Sequence, residues 1–294
     1  MRFKPNSGKP RIGLMRVDGR FYHGGLNDRF KGAVSWWNYC QKNGLDFRLL
    51  YNHPFDLTEY VVPNEYDWRI DEKDIPDGIF ETRIFYGRGE KGFRLDRLKT
   101  GKSIWYYGNI DLGKYLSCVP YTADWGEVFR KLFRPSDLVG SHLARLREEI
   151  GGLYVAAVYR FQNLLGDFPE YHYEELAADA DAVVRFMARA LEELEKVHDE
   201  NPGLRVLVTS DSSKFLSEAA KRDYVFVIPG KVEHMDSSGR DIDHTQLKSF
   251  LDYFMIAESQ KVYSIVIGKM YRSEFPEYAA KIYNRPFIRR RFDD

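Results

Sequence analysis

The sequence predicts an α/β protein in two halves, the C-terminal half a doubly wound parallel sheet. Three observations predict it. Short continuous apolar runs, Leu153–Val158 foremost, are bounded by glycines and too short for free-standing helices, so they read as strands covered on both faces. In the second half such runs alternate with segments whose apolar residues recur at helical spacing, the pattern of a parallel sheet with right-handed crossovers. At 294 residues, with 44% hydrophobic residues, 20 Tyr and 20 Phe, the chain can bury two cores, and two domains follow, 1–150 and 151–294.

In the first half, Ile12–Val17 reads as a strand and Leu26, Phe30, Ala33, Val34, Trp37 and Cys40 as one face of a helix that Asn43-Gly44 stops. Phe47–Tyr51 is the next strand. Gly24 and Gly25 stand at the start of that helix. Glycines there let backbone approach a ligand, and free amides with the helix dipole favour an anion, so Gly24, Gly25 and Asn27 form either a phosphate cradle or an ordinary loop needing positive φ. From Asn52 to Tyr121 the pattern breaks into short aromatic pieces, with Phe93–Leu98 alternating like a hairpin arm. Two helices follow, broken at Pro135-Ser136-Asp137, with Leu138, His142, Leu146 and Ile150 marking a face of the second.

The central strand of the second half delivers Arg160 to its carboxyl end, followed by Gln162, Asn163 and Asp167. In open α/β sheets ligands sit in the crevice beyond the strand carboxyl ends, so Arg160 either meets a phosphate or carboxylate or pairs with an acid such as Asp167. A long helix runs through Leu176 to Leu194, and the strand Arg205–Thr209 ends at Ser210-Asp211-Ser212-Ser213, a helix cap or a contact to ribose, base or phosphate. Tyr224–Ile228 is a further strand. Asp243 and Gln246 have capping-box spacing before a helix bearing Phe250, Leu251, Phe254 and Met255. Val262–Gly268 is the last buried strand, Arg272–Pro276 opens the last helix, and Arg285–Asp294 reads as a solvated tail.

Composition excludes several classes. Lys+Arg and Asp+Glu number 44 each, which gives no general attraction to nucleic acid or an anionic membrane. Cys40 and Cys118 lack the spacing of a zinc site or a disulfide framework. The N-terminus has no apolar core, no run is long enough to span a membrane, and no Asn-x-Ser/Thr sequon occurs, so a soluble, reducing, cytoplasmic setting is expected. Gly87–Gly92 spells GxGxxG but is not followed by a helix pattern, and Gly101-Lys102-Ser103 lacks the upstream glycine of a phosphate loop. The DxD pairs Asp179/Asp181 and Asp241/Asp243 fall in a helix and at a cap, so no metal is assigned.

Three short stretches in order carry a resemblance. Val158-Tyr159-Arg160-Phe161-Gln162-Asn163 matches a strand ending in His-x-Arg-x-Gly-Asp/Asn at its Arg and Asn. Thr209-Ser210-Asp211 with Leu216 and Ala219 is similar to Thr-Asp-Asp before a Leu-x-x-Ala helix. Asp252, the strand through Ile267, and Ser273 with Ala279 look like an Asp-bearing helix, a strand and a Ser-Ser helix start. Gly24–Arg29 is similar to a Gly-rich, Asn-containing turn in the first half. The chain thus resembles the fucosyltransferase superfamily of α1,6-, nodulation and protein O-fucosyltransferases. It departs from that pattern at Val158, Gln162 and Arg272.

The resemblance implies a GT-B-like pair of Rossmann-like domains facing a cleft, the first on the acceptor side and the second holding the nucleotide sugar. It implies metal-independent, inverting transfer of fucose from a GDP-sugar to a glycan hydroxyl, with no cofactor beyond that donor substrate. Carried over by residue, Arg160 would hold the β-phosphate, Asp211 and Ser212 the guanosine end, Ser273 a phosphate oxygen, and Asn163 would stand beside them. Gly24 and Gly25 would add amides, Asn27 would bridge diphosphate and acceptor, and Asp28 or Asp167 would be the base. Two rivals stay open: a catalytically degenerate glycan- or nucleotide-binding chain, and an NAD-dependent oxidoreductase or epimerase.

Overall fold

The computed structural model describes residues 10–78, 80–87, 101–112, 124–167, 180–230 and 246–292. The GxGxxG stretch beyond Gly87, the expected arm at 93–98, Cys118, Leu176, Asp179, Asp241 and Asp243, expected as a cap, lie outside them. Two compact units divide the chain, one of residues 1–58 and 62–134 and one of residues 59–61 and 135–294. The sequence-based boundary lay at 150; by contacts, the helix that ends there groups with the second unit.

The first unit is built on a four-stranded sheet of β1 (Ile12–Val17), β2 (Asp46–Tyr51), β3 (Thr82–Gly87) and β4 (Ser103–Gly108), in the order β2-β1-β4-β3 with every pairing parallel. Helix α1 (Leu26–Asn43) crosses from β1 to β2 and ends at Gly44, whose left-handed φ of 63° turns its amide back onto the Cys40 and Gln41 carbonyls. Against this sheet α1 buries Trp36, which stacks between Tyr39 and Tyr106 at 4.7 and 4.5 Å. Its Cys40 packs on Gly13 of β1 so closely that a Cβ there would overlap Sγ. Helix α2 (Trp125–Leu132) is capped by Asp124, whose carboxylate accepts the Gly126 amide at 2.9 Å.

The second unit opens with α3 (Asp137–Ile150), whose Ser136 cap accepts the Val139 amide. Val139, Leu143, Leu146 and Ile150 form its buried stripe, one step round from the expected Leu138 and His142. Strands β5 (Tyr154–Tyr159), β6 (Arg205–Ser210), β7 (Val225–Phe226), β8 (Val262–Ile267) and β9 (Phe287–Phe292) form a parallel sheet in the order β9-β8-β5-β6-β7. β5 is central and all six of its residues are buried, whereas Leu153, expected to begin it, is 66% exposed. The tail expected to be solvated is β9, paired with β8 from Val262↔Phe287 to Ile267↔Phe292.

Helices cover this sheet. α4 (Ala180–Asp199) presents Ala190, Leu194 and Val197 to a core of Val155, Ala157, Tyr159, Phe161, Val206 and Val208. α5 (Ser213–Ala219) adds Phe215 and Leu216 to the same core, and α7 (Phe275–Ile282) follows β8. α6 (Leu247–Glu258) is buried nearly all round, its apolar residues covered on every side together with the polar Lys248, Ser249 and Asp252. Each of Phe250, Phe254, Met255 and Ile256 contributes about 1.5–3 kcal/mol by leaving water. Among these buried residues Lys248 donates to both Asp252 oxygens at 2.9 Å.

Candidate functional site at the switch point of the second sheet

In the order β9-β8-β5-β6-β7 the chain winds one way from β5 through β6 to β7 and the other way from β8 to β9. The reversal falls between β5 and β8, and crevices beyond the carboxyl ends of such strands are where open α/β sheets hold ligands. The segments leaving β5 and β8 meet there. Tyr271 donates its amide to the Arg160 carbonyl at 3.2 Å, and Met270 turns back to Ile267 at 3.0 Å.

Arg160 pairs through Nη1 with Asp211 Oδ2 at 3.0 Å; its side chain is 21% exposed and that of Asp211 1%. The expected alternative partner, Asp167, is engaged elsewhere. Asp211, one residue beyond β6, also accepts the Phe161 amide at 2.9 Å, the Gln162 amide at 2.7 Å and the Ser210 hydroxyl at 3.3 Å. Phe161 is right-handed helical and Gln162 has a φ of 54°, so their successive amides form a concave anion-binding nest, and the Asp211 carboxylate fills it. Burial pushes the Asp211 carboxyl above its usual range, with Arg160 and the two amides opposing the shift.

Beside this lock lies a second one. Ser212, fully buried, caps α5 by accepting the Phe215 amide at 3.1 Å and donates to Asp167 Oδ2 at 3.0 Å. The same oxygen accepts the Lys214 amide at 2.9 Å, and Lys214 Nζ reaches the Leu165 carbonyl at 2.9 Å. Asp167 Oδ1 is buried and makes no hydrogen bond among the described residues. The cap reading of Ser212 therefore describes its place in the fold. Asn163 accepts the Gly166 amide at 2.9 Å through its carbonyl. Ser273 precedes α7, its hydroxyl accepting the Phe275 amide at 3.1 Å and its carbonyl accepting Arg289 Nη2 at 3.1 Å.

The first unit holds the remaining candidates together at the start of α1. Gly24 has a φ of 72°, and a Cβ there would meet Asp28 Oδ2 at 2.6 Å. Gly25 is extended and open around its Cα, so Gly24 alone requires glycine. Asp28 pairs with Lys31 at 2.7 Å, and Asn27 is 7% exposed. Sequence reasoning missed Arg29, a buried guanidinium that ties the turn down through the Gly24 carbonyl at 2.9 Å, Tyr51 Oη at 2.7 Å and the His53 carbonyl at 2.8 Å. Its place three residues after Leu26, on the apolar side of an amphipathic helix, was the available signal. Asp181, from one of the DxD pairs, lies on α4. No helix among the described residues is long and apolar enough to cross a membrane.

No family model matches the chain, and no curated protein matches it. Solved structures do. A structure of NodZ alpha-1,6-fucosyltransferase co-crystallized with GDP is 14% identical, with a TM-score of 0.57 over 93% of this chain and 92% of that one. Fucosyltransferase NodZ from Bradyrhizobium is 15% identical, with a TM-score of 0.57 over 92% of each chain. A mutant of Arabidopsis thaliana FUT1 in complex with GDP is 13% identical, with a TM-score of 0.59 over 97% of this chain and 71% of that one. The chain has the fold of these fucosyltransferases, two Rossmann-like α/β units of the GT-B class.

Proposed function

We propose that the chain is a glycosyltransferase that moves fucose, or a related sugar, from a GDP-sugar to a glycan hydroxyl, inverting and without a metal. The observation that carries this is Arg160, a guanidinium delivered by the central strand to the switch-point crevice of a fold whose solved examples include a NodZ alpha-1,6-fucosyltransferase co-crystallized with GDP and one soaked with GDP-fucose. A fixed guanidinium can meet two phosphate oxygens at once and offset the charge that grows on a departing diphosphate. Ser273, where the chain leaves β8, and Asn163, just past β5, are the polar side chains assigned to the donor beside it.

A direct displacement needs a base for the acceptor hydroxyl. Asp167 offers an oxygen that makes no hydrogen bond among the described residues, and Asp28 offers one held by Lys31. Gly24, Gly25 and Asn27 are assigned to the donor and acceptor on the resemblance of their turn. The setting that suits this reading is polysaccharide synthesis in the cytoplasm. A second reading, nucleotide binding without transfer, is favoured by Val158, a strand residue 7% exposed where the resemblance expects a histidine.

The test is a thermal-shift titration with GDP, UDP, ADP and NAD in EDTA, on wild type and Arg160→Ala. Ligand at 100 times its dissociation constant stabilises by about 2.7 kcal/mol. A GDP-selective shift lost in the variant supports the reading, and donor hydrolysis then separates transfer from binding. Silence toward GDP, or a response to NAD alone, would sink it.

A further inference from the structure

Asp211 stood in the sequence as a contact to the guanosine end of a nucleotide. Its surroundings leave it no capacity for that. An ionised carboxylate offers about four lone-pair positions, and here the four are matched by four donors: Phe161 N and Ser210 Oγ on Oδ1, Gln162 N and Arg160 Nη1 on Oδ2. Its side chain is 1% exposed. What it touches are the guanidinium of Arg160, the backbone amides of Phe161 and Gln162, and the hydroxyl of its own neighbour Ser210.

We infer that Asp211 is a positioning residue that orients Arg160 for the diphosphate. The inference rests on the nucleotide-sugar reading of the site. A long arginine on a strand end samples many rotamers, and a binding group held beforehand in its bound geometry loses less freedom on binding. Asp211 fixes both ends of the problem. Its Oδ2 holds the guanidinium, while its two oxygens hold the amides of Phe161 and Gln162 and so keep Gln162 in a left-handed conformation that a non-glycine residue adopts at a cost. Two neighbouring strands are thereby joined at their carboxyl ends beside the switch point, since Arg160 follows β5 and Asp211 follows β6. The opposing effect is electrostatic: a carboxylate beside the guanidinium weakens its field at an approaching anion. Geometry and charge thus predict opposite signs for removing Asp211, and geometry is inferred to win.

The experiment is a double-mutant cycle on GDP affinity by calorimetry, with wild type, Arg160→Ala, Asp211→Asn and the double variant, each checked for folding by circular dichroism. Asp211→Asn is expected to weaken GDP by roughly tenfold in the wild-type background and by less than about twofold when Arg160 is already alanine. Unchanged or tighter GDP binding by Asp211→Asn overturns the inference. So does a loss of equal size in both backgrounds, which would mean that Asp211 touches the nucleotide itself. If Asp211→Asn does not fold, Asp211→Glu keeps the charge while moving the carboxylate by one methylene, and the same loss confined to the Arg160 background is expected.

A second readout needs no nucleotide. Phenylglyoxal modification of Arg160, followed by peptide mapping, is expected to run several-fold faster in Asp211→Asn, and an unchanged rate overturns the positioning role. Faster modification together with wild-type silence toward GDP would leave the lock standing and remove the nucleotide reading alone.

Discussion

The Lys248–Asp252 pair of α6 allows a sharp test of what a buried charge contributes. Both side chains are almost out of water, 4% and 6% exposed, and the ammonium donates to both carboxylate oxygens at 2.9 Å. At that distance the attraction is about 6 kcal/mol for an effective dielectric near 20. Removing each ion from water costs several kcal/mol, so the pair is close to balanced. Burial pushes the Asp252 carboxyl above its usual range against the pull of Lys248, which agrees with a pair that gains little net. Breaking it is different. Asp252→Ala leaves a buried ammonium without its carboxylate and is expected to cost about 3–5 kcal/mol, whereas Lys248→Met with Asp252→Leu is expected to match or exceed wild-type stability. Urea unfolding followed by circular dichroism reads both as midpoint shifts at constant slope. A cost below about 1 kcal/mol for Asp252→Ala would refute the reasoning, because it would mean that water already reaches the pair.

Two further outcomes follow from close contacts. Gly13→Ala drives a methyl into Cys40 Sγ and is expected to destabilise by about 1–3 kcal/mol, while adding Cys40→Ala should recover most of that loss; denaturation midpoints that ignore the second change would remove the steric account. Asp211 gives a pH signature. Its carboxyl is raised in the folded chain, so its contribution to stability is fully present below the unfolded value near ~3.9 and is lost as pH rises through the folded value. Wild type should therefore lose more stability than Asp211→Asn as pH rises above the unfolded value near ~3.9, and parallel pH profiles would refute it.

The strands that read most plainly from the sequence are those buried on both faces, because burial forces an unbroken apolar run, as in Tyr154–Tyr159 and Val262–Ile267. Sequence reading missed Phe287–Phe292 for the converse reason: an edge strand reaches solvent and acidic partners, so Arg289 and Arg290 can sit in it, paired with Glu277 and Glu200. The stripe of α3 was displaced by one residue because Leu138, in its first turn, stays half-buried. At the site, Arg160 was legible as a cation at a strand end. Whether Asp211 and Ser212 turned inward or outward was not, since a cap, a lock and a ligand contact all place the same polar residues after the same strand.

The arginine-bearing edge strand also bears on how copies of the chain behave in solution. The formal net charge is zero, so no overall repulsion keeps molecules apart near neutral pH. Among the described residues β9 ends the sheet, and such an edge is a template for another chain; Arg289 and Arg290 there are paired with Glu277 and Glu200, while Arg291 is exposed and puts charge on the edge. The charge on that edge is open to screening, because the Debye length shrinks from about 10 Å at 0.1 M salt to about 3 Å at 1 M. Salting should therefore associate this chain edge to edge earlier than its balanced composition alone would suggest.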